Sequence, residues 1–468
     1  MILSGVFLMK SPLSILGNGE CDTDSNVFKT VALYMENGLM PYKDTFDHKG
    51  PIIYIINFFG NIISYLRGVW YVEWFFLTIT FGAIYKTARI FCDEFCAFAT
   101  VLLSTAPLFR YYYGGNFTEE YAMAYIAVAL FIFMDYLKND IITRIRLIVC
   151  GICFGSVLML RVNLISVWIV FSCAVLFSSL KEKKYSCLKY YLVWFLCGMS
   201  IVLVPIIIWL VKNRALMDFW NCYIKFNMQY SSAMSDMTMI EKLWNGFFYF
   251  SKPPIVILSM FITVYLILFR RKLIDIAYGC YFLLEFIMLS MSGMTYDHYG
   301  MVLIPLIATP LAIGMGNINE NDKNRMPFAA ICLIVFITVP NWMDLVENIP
   351  DQYGQDYESE NLSSAQEISN IILAYGEPDD TLSVYGNWDS IHVKTRLLST
   401  SKYTYQFPIG VVNTKILDNY FENIEENQPD WLVVEAGRMD EKIAEYIRRY
   451  HYMEYGNFEN HVVYHIQR

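Results

Sequence analysis

Residues 22–51 hold the densest set of side chains able to do chemistry: Asp22 and Asp24 two apart, then Asp44, Asp47, His48 and Lys49 ahead of Gly50-Pro51. Two carboxylates at that spacing can address one cation or one hydroxyl, and either can serve as a general base. Lys49 leads into the apolar stretch from Ile52 to Leu66, which puts an ammonium at a membrane–water boundary, where a lipid phosphate would lie. The plain alternative is an interfacial lysine that snorkels. Farther along, Glu119 and Glu120 open an apolar run, and Arg161 and Asn163 interrupt another, while Tyr296-Asp297-His298-Tyr299 precedes a third. Each has a structural reading: Asp24-Ser25-Asn26 caps a helix, Glu119 and Glu120 complement a helix N-terminus, Arg161 marks a turn, and His298 and Tyr299 belong to an aromatic belt. As functional groups, Asp24 and Glu120 would hold a divalent cation. Lys49, Arg161 and His298 would meet phosphate.

The elements that must position these groups are set by composition. Of 468 residues, 56% are hydrophobic and 17% charged, against roughly 25% charged in soluble domains. Apolar runs near 69–90, 95–110, 121–137, 145–160, 163–180, 189–211, 253–269, 273–291, 299–316 and 327–343 are each close to the ~20 residues that a bilayer requires. With a short apolar N-terminal segment they make about 11 transmembrane helices. Basic residues fall in alternate connections: Lys86 and Arg89; Lys138, Arg144 and Arg146; Lys181, Lys183, Lys184 and Lys189; Arg270, Arg271 and Lys272; Lys323 and Arg325. The positive-inside rule makes these cytoplasmic. The opening loop at about 17–68, residues 111–120, the 161–163 junction, the 212–252 loop, residues 292–298 and the tail then face outward, so the candidate groups gather at one membrane face. Residues 52–66 fit as a juxtamembrane helix.

The tail is a different object. Residues 350–468 carry 9 basic and 20 acidic residues, leaving 26 and 24 for residues 1–349. Strand-like Leu382 to Tyr385, a helix around 412–426, strand-like residues 431–435, a helix at 439–450 and terminal strands near 452–455 and 461–466 predict a small extracytoplasmic α/β domain. The eleven cysteines, none after Cys332, are scattered mostly through apolar runs and argue for neither a zinc site nor a disulfide framework. The expected architecture is a mainly α, polytopic membrane body over 1–349 with the α/β domain at 350–468.

The order of an acidic first outer loop, a helix ending in Gly38-Leu39-Met40-Pro41-Tyr42, then Asp44-x-x-Asp47 and Lys49-Gly50-Pro51 resembles the multi-spanning GT-C glycosyltransferases that use polyprenyl-phosphate sugars. It is most similar to the group of protein O-mannosyltransferases and lipid A aminoarabinose transferases. The layout covers about residues 15–340; the specific motif is confined to roughly 22–51. Members often have Asp-Glu where this chain has Asp24-Ser25, and Lys-Pro-Pro where it has Lys49-Gly50-Pro51. The resemblance implies a catalytic base at Asp24, with Asp22 as the alternative, and a phosphate contact at Lys49. Asp47, His48, Glu119, Glu120, Arg161, His298 and Tyr299 are the further substrate contacts expected. It also implies a polyprenyl-phosphate-linked sugar donor, an extracytoplasmic glycan, lipid or protein acceptor, and inversion at the anomeric carbon; a cation, if used, would be Mg or Mn. The rival classes are a flippase or transporter of lipid-linked sugars, which would place binding groups near mid-membrane, and a surface-glycan polymerase or ligase.

Overall fold

The computed structural model describes residues 1–17, 23–233, 236–321, 334–352, 360–387, 389–458 and 460–467; Asp22 lies outside the described residues. The apolar runs fold as helices that begin at recognisable caps: the Asp93 side chain accepts the Cys96 N–H ahead of Glu94–Thr105, and Thr143 accepts the Arg146 N–H ahead of Arg144–Leu158. Among the described residues, Thr118–Asn139, Tyr185–Lys212, Leu273–Ser290 and Asp297–Asn317 are long and apolar enough to cross a membrane. Met239–Phe250 and Pro254–Arg270, bent by 110°, add a fifth if counted as one broken span. The runs near 69–90 and 163–180 are the helices Gly68–Arg89 and Ser166–Lys181; the run at 327–343 is described only from Ile334.

Residues 212–252, expected as an outward connection between apolar runs, are largely helical: Leu216–Phe219, a π-helical turn at Trp220–Lys225, Phe226–Ala233 and Met239–Phe250. The last opens with a capping box, in which Thr238 and Glu241 satisfy each other's backbone N–H. Its polar residues alternate with an exposed Ile240, Trp244 and Phe248 at helical spacing, so polarity there reflects amphipathicity rather than irregular backbone.

The chain forms two compact units, of which the first comprises Met1–Lys10, Tyr71–Ile208 and Ser235–Pro350. Within it, Arg144–Leu158 and Tyr185–Lys212 approach backbone to backbone. A Cβ on Gly151 would lie 2.0 Å from the Phe195 carbonyl oxygen, and one on Gly198 would lie 2.0 Å from that of Ile148. Small residues at such a seam let apolar helices pack where no hydrophobic effect drives them together.

The second unit comprises Ser11–Trp70, Trp209–Met234 and Asp351–Arg468, so the first polar loop and the tail belong together. Thr23–Glu36 packs on Pro51–Ile63. The tail carries a four-stranded sheet, β1 (Leu382–Tyr385), β2 (Trp431–Glu435), β3 (Tyr452–Phe458) and β4 (His461–Ile466), in the order β1-β2-β4-β3. The β1–β2 pair is parallel and the other two pairs are antiparallel. Alternation along the strands divides the core between two faces. Leu382, Val384, Trp431 and Val433 pack with Ile368 and Ile372 of Glu360–Tyr375. Tyr385, Leu432 and Val434 pack with Tyr420 and Ile424 of Lys415–Asn427 and Ile443 of Glu441–Arg449.

Candidate active site

The sequence-expected residues fall into two groups, one in each unit. In the second unit, Asp24 sits in the first turn of Thr23–Glu36, partly exposed. Among the described residues no hydrogen bond or ion pair occupies its carboxylate. Thr23–Glu36 ends before Gly38 at φ +76°, which turns the chain toward Asp44 and Asp47. Asp44 accepts the Met40 N–H at 2.7 Å. Asp47 is 3% exposed and spends its oxygens on its surroundings: Oδ1 accepts the His48 N–H at 2.7 Å and the Tyr405 hydroxyl at 3.0 Å, and Oδ2 accepts the Tyr54 hydroxyl at 2.7 Å. Burial raises the Asp47 pKa; Lys49 and these donors pull it back.

His48 stacks on Tyr230, ring centroids 5.2 Å apart, and its carbonyl accepts the Asn227 amide at 2.6 Å. Lys49 Nζ lies 3.0 Å from His48 Nε2. An ammonium can only donate, so this imidazole is neutral, with its proton on Nδ1, which lies 3.5 Å from Asp47 Oδ1. None of the ion pairs among the described residues engages Lys49. Its ammonium therefore keeps donors for an anion, just before an apolar helix that starts with Pro51 at its first position.

In the first unit most of the expected groups have partners of their own. Glu119, 1% exposed, pairs with Arg161 and accepts the Thr118 hydroxyl at 2.8 Å. The Arg161 guanidinium lies 4.1 Å from the centre of the Tyr299 ring. His298 stacks on Phe117 at 4.1 Å and on Tyr296 at 5.6 Å. Asp297 pairs with Arg110 at 3.2 Å and accepts the Tyr249 hydroxyl at 2.9 Å. Glu120 shares the Asn116 N–H, at 2.9 Å, with Glu73, at 2.6 Å. That arrangement depends on Gly115, whose φ is +86° and whose Cβ would fall 2.2 Å from Glu73 Oε1.

Four participants escaped the sequence reading. Glu73 had a signal, as the lone acid in the 69–90 run. Asn227 and Tyr405 had none, because nothing in residues 227 or 405 advertises a partner near residue 47. Asp389 is 3% exposed, with its pKa pushed up to about 7 by burial, with the charge of Asp47 adding to it; donation from Thr404 and Thr30 pulls the other way. Of the two residues expected to hold a cation, Glu120 accepts the Asn116 N–H on Oε2 beside the Glu73 carboxylate and keeps Oε1 without a hydrogen-bond partner among the described residues, and Asp24 belongs to the other unit. Among the described residues no group of three His, Cys, Asp or Glu could hold a metal ion.

No family model matches the sequence, and no curated protein does. Solved structures match nevertheless. ArnT from Cupriavidus metallidurans bound to undecaprenyl phosphate is similar with a TM-score of 0.66 at 12% identity, over 99% of this chain and 96% of that one. Its apo structure gives 0.65. The Archaeoglobus fulgidus oligosaccharyltransferase, tethered to an acceptor peptide containing the NVT sequon, gives 0.51 at 11% identity over 93% of this chain and 68% of that one. The fold is thus that of the GT-C glycosyltransferases, mostly helical with a small sheet, as the resemblance in residues 22–51 implies.

Proposed function

We propose that the protein is a polyprenyl-phosphate-dependent membrane glycosyltransferase, transferring a sugar from the lipid carrier to an extracytoplasmic acceptor. One observation carries the reading: a lysine outside the ion pairs of the described residues leads into an apolar helix, in a chain that shares its fold over 99% of its length with ArnT, itself solved with undecaprenyl phosphate. A phosphate leaving group gathers charge as the glycosidic bond breaks, and a preorganised ammonium stabilises that charge. Lys49 takes this role. Asp24, in the same unit and with a carboxylate that no hydrogen bond or ion pair occupies among the described residues, accepts the proton of the attacking hydroxyl. An ordinary carboxylate, with a reference pKa of about 4, is a weak base, so the orientation of acceptor and donor must supply much of the acceleration. Attack opposite the leaving phosphate inverts the anomeric carbon. No step runs through a cation.

In this reading about 11 helices span the membrane, with the Lys49 loop and the tail extracytoplasmic. The test is purified protein in proteoliposomes, sorted so that a cysteine replacing Lys43, but not one replacing Lys183, reacts with an impermeant reagent. A panel of polyprenyl-phosphate sugars should be consumed on the Lys43 side, with the carrier released. Movement of an intact lipid-linked sugar across the bilayer, without consumption, would establish a transporter instead. Equal labelling at both positions would refute the orientation.

A further inference from the structure

The C-terminal segment 402–405 lies against the first polar loop within the second unit. The Phe46 N–H donates to the Lys402 carbonyl at 2.8 Å, and the Phe46 ring packs 5.5 Å from that of Tyr403. One residue on, the Tyr405 hydroxyl donates to Asp47 Oδ1 at 3.0 Å. The loop is otherwise clamped from nearer in sequence. The Lys49 carbonyl accepts the Tyr42 hydroxyl at 2.8 Å and the Tyr54 hydroxyl at 3.2 Å, and Tyr54 also donates to Asp47 Oδ2. Side-chain donors thus fix the backbone and carboxylate on which Lys49 is mounted. Tyr405 is the donor to Asp47 that comes from the tail.

We propose that Tyr405 is a positioning residue: by holding Asp47 it sets where the Lys49 ammonium is presented to an anionic donor group, so that the tail takes part in the reaction rather than only covering the enzyme. This rests on the assignment of Lys49 to the donor phosphate. The physical warrant is that a hydrogen bond to a buried carboxylate is among the stronger ones, and its loss opens the local structure by roughly tenfold or more. The groups facing Asp47 are Lys49, His48, Tyr42, Tyr54, Tyr405, Asp389 and Cys222. Removing one neutral donor among them favours the protonated acid, so the Asp47 pKa, already raised by burial, rises further.

The experiment compares full-length wild type, Tyr405→Phe and Tyr420→Phe. Tyr420 is a control, a buried tail tyrosine whose hydroxyl lies 2.9 Å from Ser383 Oγ. Hydrogen exchange at the His48 amide should accelerate about tenfold in Tyr405→Phe and not in Tyr420→Phe, at matched global stability. With a consumed donor, Tyr405→Phe should raise KM for the donor more than it lowers kcat, and should move the acid limb of kcat/KM to higher pH. Unchanged exchange in Tyr405→Phe, or equal acceleration in Tyr420→Phe, overturns the proposal; so does faster exchange with an unmoved acid limb and KM. If wild type and Lys49→Ala bind undecaprenyl phosphate equally, the assignment of Lys49 falls, while the exchange result still decides whether Tyr405 anchors the loop.

Discussion

Two cations stand out of the sequence on similar grounds, and the structure treats them in opposite ways. Lys49 sits on a clamped loop beside a neutral imidazole, outside every ion pair of the described residues, whereas Arg161 is paired with a buried carboxylate and covered by the Tyr299 ring. The acids divide likewise. Among the described residues no hydrogen bond or ion pair holds the Asp24 carboxylate, while Glu119 is paired with Arg161 and Glu120 shares the Asn116 N–H with a second carboxylate, Glu73. A charge that the fold has already neutralised holds the fold together, and one left unneutralised is available to a ligand. In the proposed reading the difference separates a loop that does chemistry from a cluster that fixes a helix junction, though both are polar islands in an apolar chain.

The largest expected effect would break this comparison on the loop side. Asp24→Asn should lower kcat for sugar transfer by about 10²–10⁴-fold with donor binding and melting temperature nearly unchanged. Wild-type turnover in that variant would remove Asp24 as the base. On the cluster side, Glu119→Gln leaves Arg161 half-buried without its anion and should cost roughly 3 kcal/mol of stability. Adding Arg161→Met should restore most of it, as read by urea denaturation in detergent. An Arg161→Met single variant that folds stably but loses donor affinity would transfer Arg161 from the structural set to the functional one.

The smallest effect sharpens the electrostatics of the loop's surroundings. Asp389 has a folded-state pKa pushed up to about 7, so the unfolded chain ionises first as pH rises. The favourable contribution is therefore complete below the unfolded pKa of about 4 and is lost by the time pH passes about 7. Asp389→Asn should flatten that decline and gain about 1–2 kcal/mol at pH 8 relative to wild type. A stability–pH curve unchanged between pH 4 and 8 would show that Asp389 does not titrate there.

Much of the molecule was readable in one dimension because its signals are local. Apolar runs, Gly38 after its helix, and the strand–helix alternation of the tail each depend on neighbours a few residues away. The motif at 22–51 was recognisable for the same reason. The helices within 212–252 were not legible, because an amphipathic helix and an irregular connection share a composition and only backbone hydrogen bonding tells them apart. Glu73 could have been singled out as an intramembrane acid, but its partner Glu120 lies 47 positions away.

By itself, then, the sequence determined that this is an apolar, many-helix chain with an acidic α/β tail, and it pointed to the residues with reactive side chains. Which of those charges are free was decided by the tertiary structure alone. Charge compensation depends on contacts within about 4 Å, and the groups that make them come from positions such as 119 and 161, or 47 and 405, which only folding brings together.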